Sequence, residues 1–456
     1  MILKFSRVLA LAGLFAAATS AQTVPDKDYR DFKGSNGKVI QAVLLDKTAT
    51  DAVLLLRDGK RATIPLSRLS DDDQAYVKDW SKDKAMFVQK CRGLAIRQLL
   101  ELRGYESFEF RLQNNSIFID GKLNGKPARF LVDTGAGTSL LHAPFATSVG
   151  LEVGPLDEKI FGVSGEAPAG WTPVPTIQLG EAVFKDRKIL ATDLLKDKPP
   201  GTKSREDVIL GAEFMSKLDA VISYQDRRIF LRPDRSDETE IKSGKGEEAL
   251  AFRLFKTKEG KTLRGKVLSK TATSAVIQLV DGKSTTAFIN SFVPADEEYL
   301  KAWSEAGAFF LQYCQSLTIN EVLTLRKYQS FQFERRGNHI FVEGSLNDNK
   351  VTYMIDTGAD SSLLHITAAK KYGCEVGPLN QEVWGIGGKQ AAGVTNIAKL
   401  TMGEAVLTNR KVLATDMVRK GEPDNLDYVG LFGADFMREL DAVITYTENR
   451  IFLIQR

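Results

Sequence analysis

Short runs in which apolar and polar residues alternate recur along the chain and predict β-strands. The runs Val39–Leu45 and Ala52–Leu56 are followed by an Asp58-Gly59 pair and by Arg61–Ile64. Period-two alternation interrupted by an Asp-Gly turn is typical of a β-hairpin. The pattern therefore predicts a small barrel of about 50 residues close to the start of the chain.

Helical signals replace the strand pattern after this barrel. Ser70 precedes Asp71–Asp73 and can cap a helix that runs through Tyr76 and Trp80. A second helix is predicted over Ala85–Leu102. These helices would connect the barrel to the next part of the chain.

A second set of predicted strands leads into an Asp-Thr-Gly motif. The strand patterns cover Phe108–Leu112, Ser116–Asp120 and Ala128–Val132, and the last of these runs directly into Asp133–Gly135. Such a motif puts a carboxylate at a tight turn, where glycine permits the backbone geometry.

The same pattern recurs 223 residues later. Asp133–Ala136 returns as Asp356–Ala359, and after a one-residue deletion Gly211–Met215 corresponds to Gly433–Met437 at an offset of 222. A repeat of this length predicts a duplicated pair of domains rather than a solenoid.

Composition narrows the chemistry that the chain can carry. The net charge of +4 gives no electrostatic footprint for nucleic acid. Three cysteines (Cys91, Cys314 and Cys374) are too few for a disulfide scaffold and lack the spacing of a zinc site. With only three histidines as well, the sequence favours chemistry carried by carboxylates, or binding, with no metal and no cofactor.

The first residues have the pattern of an export signal. Lys4 and Arg7 precede the apolar run Val8–Ala18, and the small residues Thr19–Ala21 follow it. A basic start, a short apolar run and small residues are typical of a cleaved signal peptide. We therefore expect an exported protein, periplasmic or extracellular, whose mature form has no transmembrane segment, because no other apolar run is long enough to span a bilayer.

Two copies of one Asp-Thr-Gly motif suggest a shared site. Two carboxylates that face each other cannot both ionise easily, so they share one proton. The ionised partner can then deprotonate a water while the protonated partner polarises a carbonyl. The duplication supplies such a pair within one molecule, as Asp133 and Asp356.

On these motifs each copy resembles the retropepsin-like aspartic proteases, whose subunits each supply one Asp-Thr-Gly-Ala. Val208–Gly211 and Gly430–Gly433 resemble the family's apolar-apolar-Gly segment, although the Arg that follows it in the family is absent here. Gly385–Gly388 resembles the glycine-rich flap tip of the family, and Gly162–Gly165 is its weaker counterpart.

The resemblance implies a role for each matching residue. The catalytic pair would be Asp133 and Asp356. The catalytic loops would be supported by Thr134, Gly135, Thr357 and Gly358. The flap and substrate-binding residues would be Gly162, Gly165, Gly385, Ile386, Gly387, Gly388 and Asp360. The last of these lies where the family often has an Asp that holds the substrate backbone, whereas the first copy has Gly137 there.

The beginning of each copy resembles the Sla-one homology domain, an SH3-like barrel. The resemblance rests on Asn36–Lys38, Asp58–Lys60, Pro65–Ser70 and Asp73–Tyr76, and it is looser in the second copy. It implies that the barrels are candidates for binding a protein or peptide partner.

The predicted fold class is mainly β: two retropepsin-like acid-protease β domains, each preceded by a small SH3-like β barrel and a helical connector. The predicted segments are a signal peptide (1–21), barrel (28–80), connector (81–104), protease domain (105–232), linker (233–251), degenerate barrel (252–303), connector (304–327) and second protease domain (328–456).

The predicted function is that of an exported aspartic-type endopeptidase acting on a peptide or protein substrate. The alternative is a non-catalytic scaffold that binds proteins through protease-like domains. Two assemblies also remain open, namely an intramolecular pseudo-dimer and a homodimer in which like copies pair.

Overall fold

The structure is a computed structural model that describes residues 29–162, 165–180, 182–196, 201–202, 204–232, 252–385, 388–403, 405–417 and 427–454. The predicted signal peptide and linker lie outside these residues, as do the flap-tip residues Ile386 and Gly387. The chain forms two compact units, one ending at Ala85 and the other beginning at Met86.

The first unit is built on a four-stranded antiparallel sheet in the order β1-β2-β3-β4. Its core contains Phe32, Ala42, Leu54 and the helix residue Val77, all at most 1% exposed. The elements in and directly after this unit are β1 (Arg30–Lys33), β2 (Val39–Lys47), β3 (Asp51–Leu56), β4 (Arg61–Pro65), α1 (Asp71–Asp79) and α2 (Lys82–Met86).

The first half of the second unit follows a π-helical turn at Phe87–Cys91. Its elements are α3 (Ile96–Leu102), β5 (Glu106–Glu109), β6 (Arg111–Gln113), β7 (Ser116–Leu123), β8 (Lys126–Val132), β9 (Leu140–His142), α4 (Ala143–Ser148), β10 (Glu158–Gly162), β11 (Gly165–Leu179), β12 (Ala182–Thr192), β13 (Val208–Leu210), α5 (Ala212–Lys217), β14 (Val221–Ser223) and β15 (Arg228–Leu231).

The second half begins with another four-stranded antiparallel sheet, β16 to β19. Its elements are β16 (Arg253–Lys256), β17 (Thr262–Lys270), β18 (Ser274–Leu279), β19 (Ser284–Phe288), α6 (Pro294–Ala302), α7 (Glu305–Tyr313), α8 (Ile319–Thr324), β20 (Gln329–Gln332), β21 (Glu334–Arg336), β22 (His339–Leu346), β23 (Asn349–Ile355), β24 (Leu363–His365), α9 (Ile366–Lys371), β25 (Gln381–Gly385), β26 (Gly388–Met402), β27 (Ala405–Thr415), β28 (Gly430–Phe432), α10 (Ala434–Glu439), β29 (Val443–Thr445) and β30 (Arg450–Leu453).

Each half carries an eight-stranded mixed sheet, and the two sheets share one topology. The strand orders are β10-β11-β12-β9-β13-β8-β7-β6 and β25-β26-β27-β24-β28-β23-β22-β21. In each sheet the strand that leads into Asp-Thr-Gly runs parallel to the short strand of the apolar-apolar-Gly segment. The prediction of a mainly β chain with two similar acid-protease β domains is confirmed.

A six-stranded sheet, the joint sheet, takes strands from both halves, in the order β20-β30-β29-β14-β15-β5. At its centre β14 pairs antiparallel with β29, and Ile222 lies directly opposite Ile444. Because these residues are equivalent in the repeat, the centre of this sheet lies on the axis that relates the two halves. The halves are therefore joined by backbone hydrogen bonds as well as by side-chain packing.

The two faces of this sheet have different neighbours. One face packs against helices α3 and α8 through the buried residues Val221, Phe230, Val443 and Phe452. The opposite face joins the cores of the two eight-stranded sheets through Ile222, Ile229, Ile444 and Ile451. This alternation follows from the period-two geometry of a strand, and it makes the sheet the layer between the connector helices and the two protease-type cores.

The prediction of a continuous helix over Ala85–Leu102 is wrong. Helical structure stops at Cys91, and α3 begins only at Ile96. Gly93 lies in the gap, and glycine is about 1 kcal/mol less favourable than alanine inside a helix. The break lets the Leu94 side chain pack in a buried cluster that also contains Phe87. Tertiary packing therefore decides where the helix ends.

None of the helices within the described ranges is long and apolar enough to cross a membrane.

The central pairing of the six-stranded sheet predicts a coupling between Ile222 and Ile444. Each Ile→Val change should lower the free energy of unfolding by about 0.5–1.5 kcal/mol. Because the two residues are directly opposed, the double variant should deviate from additivity, as contacting residues do. The measurement is a double-mutant cycle in urea.

Ile229 and Ile451 provide the matched pair for this cycle. They are equally buried and face the same core, but their strands are three positions apart in the sheet, about 14 Å at ordinary strand spacing. Their effects should add. Equal additivity for both pairs would contradict the joint sheet.

Candidate active site

The two Asp-Thr-Gly loops lie at equivalent strand ends. Asp133 directly follows β8 and Asp356 follows β23. Asp133 N–H donates to Leu210 O at 3.0 Å, and Asp356 N–H donates to Phe432 O at the same distance. The apolar-apolar-Gly segment of each half thus holds the start of its own loop.

Reciprocal hydrogen bonds between two buried threonines join the loops. Thr134 Oγ1 donates to Ile355 O at 3.0 Å and accepts from Thr357 N–H at 3.0 Å. Thr357 Oγ1 donates to Val132 O at 2.9 Å and accepts from Thr134 N–H at 3.1 Å. Both threonines have no exposed surface, so these four bonds form away from water and fix the loops to each other.

Each aspartate is held by its own loop. Asp133 Oδ1 accepts from the backbone N–H groups of Gly135 at 2.8 Å and Ala136 at 3.0 Å. Asp356 Oδ1 accepts from Gly358 at 2.9 Å and Ala359 at 3.0 Å. One oxygen of each carboxyl is therefore fixed by two donors, which leaves the other oxygen for the partner carboxyl or a ligand.

The glycine of each motif is required by the carboxyl of the other half. A Cβ built on Gly135 would lie 2.3 Å from Asp356 Cγ, and one built on Gly358 would lie 2.3 Å from Asp133 Cγ. Any larger residue would displace the opposing carboxyl. The structure thus brings the six predicted loop residues together in one site.

Burial and proximity change the acidity of both carboxyls. Burial raises the pKa of Asp133 well above its usual range, and the negative charge of Asp356 raises it further. Burial also raises the pKa of Asp356, while its hydrogen bond with Asp133, the backbone donors and the charge of His339 lower it in part. Carboxyls in such contact titrate as a pair that retains one proton above the usual range.

A serine and an acidic residue support each loop from behind. Ser139 N–H donates to Glu213 Oε1 at 2.7 Å, and Gly211 N–H donates to Ser139 Oγ at 3.0 Å. In the second half Ser362 makes the equivalent bonds to Asp435 and Gly433.

Sequence reasoning missed these four residues, Ser139, Glu213, Ser362 and Asp435. The signal that could have found them is the repeat itself, which keeps a serine and an acid at equivalent positions in both copies. The acid lies two residues after the Gly of the apolar-apolar-Gly segment, one residue beyond the position where the resembled family has its Arg.

The surroundings of the two loops are not symmetric. The Asp360 carboxylate accepts from Arg205 Nη1 at 2.8 Å and from Ser116 Oγ. In the first half the equivalent residue is Gly137, which has no side chain. A Cβ built on Gly137 would lie 3.1 Å from His339 Nε2. Both oxygens of Asp360 are thus engaged by the other half of the chain, and a substrate backbone would have to compete with Arg205 and Ser116 for them.

The predicted flap residues lie on two hairpins. Gly162 pairs with Gly165 where β10 meets β11, and Gly385 pairs with Gly388 where β25 meets β26. Ile386 and Gly387 lie outside the described residues. Each hairpin has an exposed aromatic residue directly before its first glycine, Phe161 in one and Trp384 in the other.

Within the described ranges, no group of three or more His, Cys, Asp or Glu residues could hold a metal ion.

Two segments of the chain match a known protein family. Residues 119–214 and 342–436 match the family described as aspartyl protease, and each segment contains one of the two Asp-Thr-Gly motifs. These matches support tandem protease domains with an aspartic-protease fold, as predicted. A comparison with curated proteins gives no match.

Two solved structures are similar to parts of the chain. One is a retropepsin-like aspartic protease from Rickettsia conorii, 17% identical, with 28% of this chain and 93% of that chain covered and a TM-score of 0.21. The other is EIAV protease complexed with the inhibitor HBY-793, 20% identical, with 22% of this chain and 85% of that chain covered and a TM-score of 0.17.

The raised pKa values predict how Asp133→Asn changes stability with pH. A carboxyl whose pKa is higher in the folded chain stabilises the fold below its unfolded pKa of about 4, and this contribution is lost as pH rises through the folded value. The variant should therefore be more stable than the unchanged protein at pH 7, and the difference should shrink towards pH 4.

The measurement is urea unfolding at several pH values, with the exposed Asp157→Asn as the control. The control should change little at any pH. An Asp133→Asn protein less stable than the control at pH 7 would contradict the raised pKa of Asp133.

Proposed function

We propose that the chain is an exported aspartic-type endopeptidase that hydrolyses peptide bonds with a water activated by Asp133 and Asp356. The observation that carries this proposal is the close approach of the two carboxyls. The reciprocal threonine bonds join the two loops, and the carboxyl of each aspartate contacts the glycine of the opposite motif. The family matches on both segments support the same reaction class.

The chemistry follows from one shared proton. The ionised carboxylate removes a proton from water, and the resulting hydroxide attacks the carbonyl carbon of the peptide bond. The protonated carboxyl donates a hydrogen bond to the carbonyl oxygen, where negative charge develops. The proton taken from water then passes to the leaving nitrogen, and the carbon–nitrogen bond breaks. The raised pKa values of the pair support the retention of that proton.

We further propose that the pair forms within one chain, as an intramolecular pseudo-dimer. The joint sheet supports this assembly, because β14 and β29 of the same chain pair at its centre. The ion pair between Arg205 and Asp360 at 2.8 Å also connects the two halves. The homodimer of like copies has no such support and is the alternative that experiment must exclude.

The barrels are proposed to hold a protein partner or a surface close to the enzyme. The four-stranded sheets β1 to β4 and β16 to β19 are compatible with small barrels. In each, an arginine of the first strand donates to a buried aspartate of the helix that follows the sheet, Arg30 to Asp73 of α1 and Arg253 to Asp296 of α6, each at 2.8 Å. The SH3-like identity of these sheets stays a prediction.

The proposed periplasmic or extracellular location follows from the predicted signal peptide. If the first 21 residues are a signal peptide, the exported protein should begin at Gln22, after the small residues Thr19–Ala21. N-terminal sequencing of protein recovered from the periplasm or the medium checks this. An intact Met1 on the exported protein would contradict it.

Each single aspartate variant should be inactive. Asp133→Asn and Asp356→Asn each remove one of the two protonation states that the reaction needs, so turnover should fall by about 10³-fold or more. The double variant should be scarcely worse, because the two residues act as a unit. The assay is cleavage of a peptide library, with and without a hydroxyethylene-type transition-state analogue.

Asp157→Asn is again the matched control and should keep full turnover. Cleavage that persists in both single variants would exclude the proposed pair. A folded, unmodified protein that cleaves no peptide at all would instead favour the non-catalytic scaffold.

A further inference from the structure

The connectors of the two halves contact each other at a point that the proposed reaction does not use. The π-helical turn Phe87–Cys91 packs with α7 in one buried cluster that also contains Leu94, Leu317 and Val322. Phe87 and Phe310 meet edge to face with ring centroids 6.3 Å apart. These residues are separated by 223 positions, so they are equivalent in the repeat.

Equivalent residues that touch must lie on the axis relating the two halves. Thr134 and Thr357 satisfy this condition in the Asp-Thr-Gly loops, and Ile222 and Ile444 satisfy it in the joint sheet. At the connectors the relation is again reciprocal: the Arg103 guanidinium donates to Leu317 O, and the Arg326 guanidinium donates to Leu94 O. The axis therefore continues from the aspartate loops through the sheet into the connectors.

Cys91 and Cys314 occupy this axis between the connectors. They are equivalent in the repeat, neither has any exposed surface, and both belong to the same buried cluster. The neighbouring Cys314 thiol lowers the pKa of the Cys91 thiol by side-chain hydrogen bonding, and Cys91 Sγ donates to Ala306 O of α7 at 3.5 Å. Two thiols from opposite halves are thus already side by side.

The third cysteine has no such partner. Cys374 is buried in the second protease-type half, where Asn347 Nδ2 donates to its sulfur at 3.5 Å. Its equivalent in the first half is Leu151. Cys374 is therefore a buried thiol on the same chain that can serve as an internal control.

We propose that Cys91 and Cys314 form a disulfide that ties the two halves of the chain together. The oxidant is a disulfide, either a small molecule or a disulfide-donating protein. One thiolate attacks a sulfur of that disulfide to form a mixed disulfide and releases one thiol. The second cysteine then displaces the remaining thiol. In sum, two cysteine thiols and one disulfide give one Cys91–Cys314 bond and two thiols.

Burial determines when this reaction takes place. Because neither sulfur is exposed in the folded chain, an external disulfide can reach the thiols only before the connectors pack. The bond should therefore form during folding, in the oxidising compartment to which an exported chain is delivered. Once formed, it is shielded from reductants by the same cluster for as long as the chain stays folded.

The disulfide is expected to stabilise the fold mainly by restricting the unfolded chain. The bond closes a loop of more than 200 residues between the two positions, and cross-links that close long loops remove much of the conformational freedom of the unfolded state. It would keep the two halves adjacent even when the joint sheet opens. This inference rests on the connector geometry and on the proposed export, and it does not depend on whether the aspartate pair is catalytic.

The test uses the full chain, refolded in a mixture of oxidised and reduced glutathione and then alkylated in denaturant without reduction. Peptide mass analysis should find one alkylated cysteine, Cys374, and one cross-linked peptide pair containing Cys91 and Cys314. Three alkylated cysteines would overturn the proposal. Glutathione adducts on Cys91 or Cys314 in place of the cross-link would overturn it as well.

Stability variants give a second readout. Reductant should lower the urea midpoint of the unchanged protein and of Cys374→Ser by the same amount, and it should leave the midpoint of Cys91→Ser unchanged. If Cys91→Ser does not fold, the comparison of the unchanged protein with Cys374→Ser still decides. A midpoint that does not respond to reductant in either of these two proteins would refute the disulfide.

Discussion

The reciprocal bonds between Thr134 and Thr357 are the interaction on which the site depends. Each hydroxyl donates to a carbonyl and accepts an amide of the opposite loop, so neither half can complete its own loop alone. A buried donor or acceptor that loses its hydrogen-bond partner lowers the free energy of unfolding by about 1–3 kcal/mol. The glycines then let the carboxyls approach, and the raised pKa values follow from that approach in a buried setting.

The duplication preserves the two Asp-Thr-Gly motifs but not their surroundings. Asp360 is engaged by Arg205 and Ser116, whereas the equivalent Gly137 faces His339. In a homodimer both sides would be identical by symmetry. A single chain can vary them separately, and the two ends of the site therefore differ in their side chains while the threonine and aspartate geometry stays symmetric.

The sequence was most informative where a short motif of neighbouring residues is enough to define the local structure. The strand that ends in Asp-Thr-Gly, its repetition and the apolar-apolar-Gly segments predicted the loops, and the mainly β fold class is confirmed. It was least informative where contacts join distant parts of the chain. The joint sheet arises from short strands such as β14 and β29, and the helix break at Gly93 follows from packing of Leu94. The strand pairing leaves no local pattern, and Gly93 alone does not determine where the helix ends. Arg205, one of the two partners of Asp360, comes from a loop with no periodicity.

The central claim is that one chain supplies both aspartates of one site, and mixing two inactive variants tests it most directly. Asp133→Asn and Asp356→Asn proteins would be unfolded together, refolded as a mixture and assayed for peptide cleavage against each variant refolded alone. An intramolecular site predicts no recovery, because every chain lacks one carboxyl of its own pair. Activity of either variant refolded alone would show that like aspartates of two chains pair. Recovery of activity in the mixture, above that of either variant alone, would show that Asp133 of one chain combines with Asp356 of another. Either result would contradict the account.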